Sequence, residues 1–209
     1  MLSHPSDNAM FDLEGKPEQI LRGAMQVFLQ HGYAGTSMDR VAAEAGVSKH
    51  TIYNHFQGKE GLFIALFERL VLRHFHQEFG CQLPLSEPPE QVLRRLAKIF
   101  LARMDDPEYI AFVRLLFAES GRFPELAQLY VREVIQKGHN VVTEYFKARP
   151  ELNGTNPEIM AQIFFSTLVC HLFTQEVLHG KALLPISEQA LVDNLIALMM
   201  RQGDRSHNP

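Results

Sequence analysis

Six polar side chains crowd into seven residues between Lys49 and His55: Lys49, His50, Thr51, Tyr53, Asn54 and His55, interrupted only by Ile52. Each can donate a hydrogen bond and none is acidic. Wound as a helix, the segment places Ile52 and Phe56 four residues apart on one buried side. The opposite side is then a donor-rich, mildly basic face on a rod that fits the major groove of duplex DNA. The alternative is an ordinary helical hairpin with a solvated outer face. Tyr53 follows Ile52 directly, so it lies about 100° round the helix from a core position. Its hydroxyl is placed to reach DNA from the edge of the face; the alternative is a half-buried ring packed under the turn.

Such a face works only if something holds it out. The surrounding stretch, Thr36 to Phe63, reads as two short helices joined by a tight turn. Thr36 or Ser37 caps the first, because a hydroxyl there accepts from orphan N–H groups. Thr36 with Asp39 also fits a loose capping box. Val41, Ala42 and Ala45 form its apolar side. Gly46 stops it in the left-handed conformation that glycine adopts without penalty. Ser48 caps the second helix. Caps, turn and donor-rich face agree with one another, as in a helix-turn-helix.

The stretch from Gly32 to Phe63 resembles the DNA-binding domain of TetR-type transcriptional regulators. Gly32-Tyr33-Ala34-Gly35-Thr36-Ser37 matches the end of that family's first helix. Ala42 to Ser48 matches its A-x-x-x-G-V-S turn, Lys49 to Phe56 its recognition helix, and Lys59-Glu60-Gly61-Leu62-Phe63 the start of its fourth helix. The resemblance covers about the first third of the chain. It implies that Lys49, His50, Thr51, Tyr53, Asn54 and His55 read or clamp DNA and that Ser37 and Lys59 touch phosphates. His50 departs from the pattern, since many relatives have glycine there, so an operator sequence does not carry over. The segment Phe117 to Leu126 (FAESGRFPEL) also looks like a turn found in relatives.

The 209 residues allow one or two domains, and 46% apolar with 21% charged residues are globular values. The net charge is −4, so a DNA footprint must be a local patch. Cys81 and Cys170, with no CxxC, read as buried apolar thiols or, alternatively, as a disulfide. No secretory leader or membrane span is apparent, and the expected location is the cytoplasm. No GxSxG, HExxH, Walker or GxGxxG motif appears. His74 and His76, two apart on a helix, cannot share an ion. No enzyme activity, cofactor or metal is expected. Asp105-Asp106 reads as a cap before Pro107, and Asn153-Gly154-Thr155 as a sequon without meaning in the cytoplasm.

Helical spacing and Pro/Gly punctuation predict an all-α fold of about nine helices. Met1 to Gly15 is a loose tail. A first helix from Pro17, closed by Gly32, buries Ile20, Leu21, Ala24, Val27 and Phe28 behind the helix-turn-helix. The fourth helix runs from Lys59 to about Phe79. Further helices follow at Glu90–Met104, Pro107–Ser120, Pro124–Ala148, Pro157–His179 and Ser187–Arg201. The expected domains are a tail (1–15), a helix-turn-helix head (16–60) and a helical ligand-binding and dimerisation body (61–209).

Twelve of fifteen phenylalanines follow Gly61. Phe100, Met104, Phe112, Leu116 and Phe164 are candidates to line a pocket for an apolar or amphipathic small molecule, with His139, Thr167, His171 and Thr174 as polar contacts. The alternative is solid core. The helix after Pro157 is apolar on more than one side, so one side packs internally and another meets a second copy. Phe165, Val169, Leu172, Leu195 and Met199 are the expected dimer residues, the alternative being a central helix of a monomer. Resemblance agrees, since TetR-type proteins dimerise through two C-terminal helices. The reading is a homodimeric DNA-binding regulator, by resemblance a repressor released by a small ligand. Its rivals are a ligand-blind regulator or partner-binding module, and a helical carrier or enzyme that retained the motif.

Overall fold

The computed structural model describes residues 15–80, 82–152 and 156–204. The tail before Gly15, Cys81 and the sequon at residues 153–155 lie outside them. The described residues are helical without strands. Among the described residues there are eleven α-segments, with π-helical turns at Glu68–Leu72 and Val131–Ile135. The fold class and helix order agree with the prolines and glycines of the sequence. Two compact units result: residues through His76 together with Ala111–Val134, and Gln77–Ile110 together with the chain from Ile135. No helix among the described residues is long and apolar enough to cross a membrane.

The first unit holds α1 (Lys16–Gly35), α2 (Met38–Ala45), α3 (Lys49–Phe56) and α4 (Lys59–Phe67), which continues into α5 (Arg73–Phe79). α7 (Pro107–Ser120) enters it from Ala111, and α8 (Pro124–Tyr130) follows. Pro17 occupies the first turn of α1, where a missing N–H is harmless. The α1 axis breaks at Gly32 (φ 68°), and a last helical turn resumes to Gly35. Ile20, Leu21, Ala24, Val27 and Phe28 are buried as their spacing requires. Phe63 packs edge-on against Phe28 at 5.2 Å and lies 4.5 Å from Phe112, while Phe67 lies 4.6 Å from Phe112 and 4.1 Å from Tyr130. These rings anchor α4 to α7 and α8.

The second unit contains α6 (Pro89–Leu101), α9 (Gln136–Lys147), α10 (Pro157–Leu172) and α11 (Glu188–Asp204). The Asp106 carboxylate accepts from the N–H groups of Glu108 (2.9 Å) and Tyr109 (3.2 Å), the cap expected before Pro107. Asn156 caps α10 in the same way, accepting from Glu158 and Ile159. Arg94 of α6 pairs with Asp193 of α11, and Lys147 of α9 reaches Glu158 of α10 at 3.0 Å. α10 buries Met160, Phe164, Leu168 and Leu172, and α11 buries Val192, Leu195, Ile196 and Met199.

Candidate nucleic-acid interface

The turn between α2 and α3 is held by local bonds. Ser37 is the cap of α2: its Oγ accepts from the Arg40 N–H at 3.3 Å. Thr36 is buried and donates instead to the Gly32 carbonyl at 2.8 Å, so the loose capping box with Asp39 does not form. Gly46 sits at φ 61°, and the Val47 N–H returns to Ala42 O at 3.0 Å. Ser48 Oγ accepts from the Thr51 N–H at 3.1 Å and also bonds the Thr51 hydroxyl at 2.8 Å. α1 braces α2 closely. A Cβ on Gly23 would lie 2.9 Å from the Ala45 nitrogen, and Gln19 Nε2 donates to Ala45 O at 2.7 Å.

With Ile52 and Phe56 buried beneath it, α3 turns Lys49, His50, Tyr53, Asn54 and His55 to solvent, with Thr51 half-buried. Ser37 is exposed as well. Tyr53 is 45% exposed, and a Cβ at Gly58 would stand 3.7 Å from its ring, so the ring leans over the turn into α4. Lys49 pairs with Asp39 at 3.0 Å, and that hydrogen bond raises the Lys49 pKa. Both partners are exposed, so the pair is weak.

Lys59 is placed differently. Its ammonium donates to Tyr33 O (2.8 Å) and Thr36 O (3.2 Å) and lies 4.4 Å over the Tyr33 ring. Two carbonyls and a ring face already hold the ammonium, so a phosphate contact, as expected for Lys59, competes with them. Partial burial lowers the Lys59 pKa, with Glu119 opposing. Burial, and then Glu60 and Glu125, push the Tyr33 phenol up to about 12. Sequence reasoning missed Glu119, whose carboxylate accepts from the Tyr33 N–H at 3.1 Å. The only signal was its place in the FAESGRFPEL segment, because the partner is a backbone group 86 positions away.

The expected pocket residues divide between the units. Phe112 and Leu116 are buried in the first, Phe112 within the ring cluster. Met104, Phe164 and His171 are buried in the second, where Phe100 and Thr167 are half-buried. Thr167 Oγ1 donates to its own helix at Ile163 O. His139 bridges Thr143 (3.3 Å) and Glu158 O (3.1 Å) across α9 and α10.

The residues expected at a dimer interface fall in different environments. Leu172, Leu195 and Met199 are buried within the chain, because α10 and α11 turn those residues inward against their own unit. Val169 is exposed and Phe165 half-buried. The outward apolar positions are Ile159 (54% exposed), Ile163 (46%) and Val169 on α10, and Leu198 (62%) on α11. Cys170 lies beside Val169 and is exposed, not a buried thiol. Among the described residues no cluster of His, Cys, Asp or Glu has metal-binding geometry.

Comparison with known proteins gives two family matches. Residues 20–66 match the bacterial regulatory proteins of the tetR family, and residues 91–202 match the C-terminal domain of AefR-like transcriptional repressors. The HTH-type transcriptional regulator YhgD of Bacillus subtilis is 30% identical over 192 residues, covering 88% of this chain and 94% of YhgD. Among solved structures, the flavonoid-responsive regulator FrrA is 28% identical with a TM-score of 0.63, covering 91% of this chain and 94% of FrrA. A TetR-family regulator of Pseudomonas syringae pv. tomato is 26% identical with a TM-score of 0.63, covering 90% of this chain and 95% of that one. Matched from the brace helix to the last helix, and carrying a capped helix-turn-helix with an open donor face, the chain belongs to the TetR family of bacterial regulatory proteins and is a DNA-binding transcriptional regulator.

Proposed function

We propose that this protein is a homodimeric repressor that binds a near-palindromic operator through α3 and leaves it when a small apolar or amphipathic molecule occupies the body. The open face of α3 carries the reading. Lys49, His50, Thr51, Tyr53, Asn54 and His55 supply donors to base edges and phosphates, while Ile52 and Phe56 fix the helix from behind. Ser37 adds a hydroxyl at the start of α2. The AefR-like repressor match supports repression. The exposed stripe Ile159, Ile163 and Val169 with Leu198 supports pairing of two copies through α10 and α11. The half-buried Phe100, Phe165 and Thr167 and the buried His171 are the proposed ligand contacts, and the flavonoid response named for FrrA makes planar aromatic molecules the first to try. Release then follows from unequal ligand affinity for the DNA-competent and DNA-incompetent conformations.

Selection of bound sequences from random duplex DNA with the purified protein tests the core of this. Recovery of one site with two inverted halves is expected; recovery of no preferred sequence overturns it. A second reading, regulation without a ligand, is favoured by the wholly buried Phe112 and its close ring neighbours. Operator release by a flavonoid panel separates the two.

A further inference from the structure

The corner between α1 and α2 is held by side chains from outside the helix-turn-helix. Because α1 breaks at Gly32, the Tyr33 N–H loses the helical carbonyl it would otherwise meet, and a buried backbone donor needs a partner. Glu119, in the last turn of α7, supplies it at 3.1 Å. The fit is close: a Cβ on Gly32 would stand 2.5 Å from Glu119 Oε1. The turn after Glu119 is fixed in turn, since Glu119 O accepts from the N–H groups of Arg122 (3.0 Å) and Phe123 (2.8 Å), and the Phe123 ring meets Tyr33 edge-on at 5.3 Å. On the other side of the corner Lys59 binds Tyr33 O and Thr36 O. Ser37, the cap from which α2 starts, is the next residue.

We propose that Glu119 is a positioning residue for DNA binding: its carboxylate holds the Gly32–Ser37 corner so that α2 and α3 present the donor face in one orientation. This rests on the DNA-reading role of α3. Glu119 belongs to α7, and its carboxylate bonds the Tyr33 amide, outside the recognition helix. Its influence passes through the Tyr33 amide, and any change that draws the last turn of α7 away from Tyr33 weakens DNA binding without altering the residues that contact DNA.

Two conservative variants of the full-length protein test this on the selected operator. E119D keeps the charge but shortens the reach by one methylene; E119Q keeps an acceptor oxygen at the same reach. Wild-type binding to the operator is the control for α3 itself: if wild type prefers no sequence, the DNA reading has failed, not this proposal. With wild type binding, E119D is expected to lower operator affinity at least fivefold. The slope of log affinity on log salt should not change, because no phosphate contact is lost, and exchange of the Tyr33 amide should accelerate. E119Q is expected to stay within about twofold of wild type and keep the amide protected. E119D binding as tightly as wild type overturns the proposal, as does E119Q weakening binding as much as E119D. So does a lower melting temperature in E119D with unchanged affinity of the folded protein, which makes Glu119 structural only.

Discussion

Gly23 and Gly138 both sit inside helices, and replacing each with alanine should move stability in opposite directions. In an unobstructed helix, Gly→Ala stabilises by about 0.5–1 kcal/mol, because alanine restricts the unfolded chain and is the better helix former. At Gly138 in α9 the new methyl would meet only the tip of the Phe165 ring, at 3.8 Å, an ordinary contact. The full gain is expected there. At Gly23 the methyl would lie 2.9, 3.0 and 3.1 Å from the N, Cβ and Cα of Ala45. Two of those atoms are backbone in α2, so relief requires pushing α1 and α2 apart. Overpacking of this kind costs about 1–3 kcal/mol, and backbone obstruction places it near the upper end. Set against a gain of about 1 kcal/mol, the net is a loss of about 2 kcal/mol. For a chain of this size 1 kcal/mol shifts Tm by about 2–4 °C. Gly138→Ala should therefore raise Tm by about 1–4 °C and Gly23→Ala lower it by about 4–8 °C, at one protein concentration so that association does not confound the comparison. Differential scanning calorimetry reads both. The reasoning fails if Gly23→Ala melts above wild type. A second readout follows the same displacement: Gly23→Ala tilts α2 and with it α3, so operator affinity should fall even well below Tm.

Tyr53→Phe should weaken operator binding by about 0.5–1.5 kcal/mol per lost contact with Tm nearly unchanged; a lower Tm with normal affinity would make the residue structural. Lys59→Ala should lower Tm and affinity while leaving the salt slope intact, since its ammonium is spent on Tyr33 O and Thr36 O; a slope smaller by about 0.9 per contact in filter binding would return Lys59 to phosphate. His171 has its pKa lowered, chiefly by burial, with Glu188 and Glu176 opposing. Its folded-state pKa thus lies below the ordinary 6.5, so between the two values the unfolded chain binds more protons. Its contribution to stability is intact above 6.5 and is lost as pH falls from there through the folded pKa; urea titrations across that window should show wild type losing stability relative to His171→Gln with acidification, and a constant difference would refute it. Ile163→Glu places a charge in the outward stripe of α10 and should yield monomers at micromolar concentration in sedimentation velocity; an unchanged dimer would place the interface elsewhere.

The helix-turn-helix was legible in the sequence because its determinants are local. Ser48 caps the third residue on, Gly46 ends α2 in its own left-handed conformation, and Ile52 and Phe56 mark the inward side of α3 one turn apart. Hydrogen bonds and side-chain neighbours within four positions are written into adjacent residue types. The order of the helices was legible for the same reason, since proline and glycine act on their own backbone: Pro107, Pro124 and Pro157 all stand at the start of their helices.

Packing settled the rest. α10 is apolar on several sides, so its sequence carries no phase, and its rotation is set by the neighbours it meets. That rotation sends Leu172 inward and leaves Ile159, Ile163, Val169 and Cys170 outward. Leu195 and Met199 went inward with α11 by the same physics, although both read equally well as interface. Lys59 at the start of α4 has the residue type for phosphate, yet its long stem folds back onto carbonyls that only the broken end of α1 exposes. Glu119 is the clearest case. Nothing in its sequence neighbourhood names a partner, because the partner is a main-chain N–H at Tyr33, and every residue except proline carries one. Side-chain identity thus determined the helices and the donor face of α3, while burial and helix rotation decided which groups were left free to act.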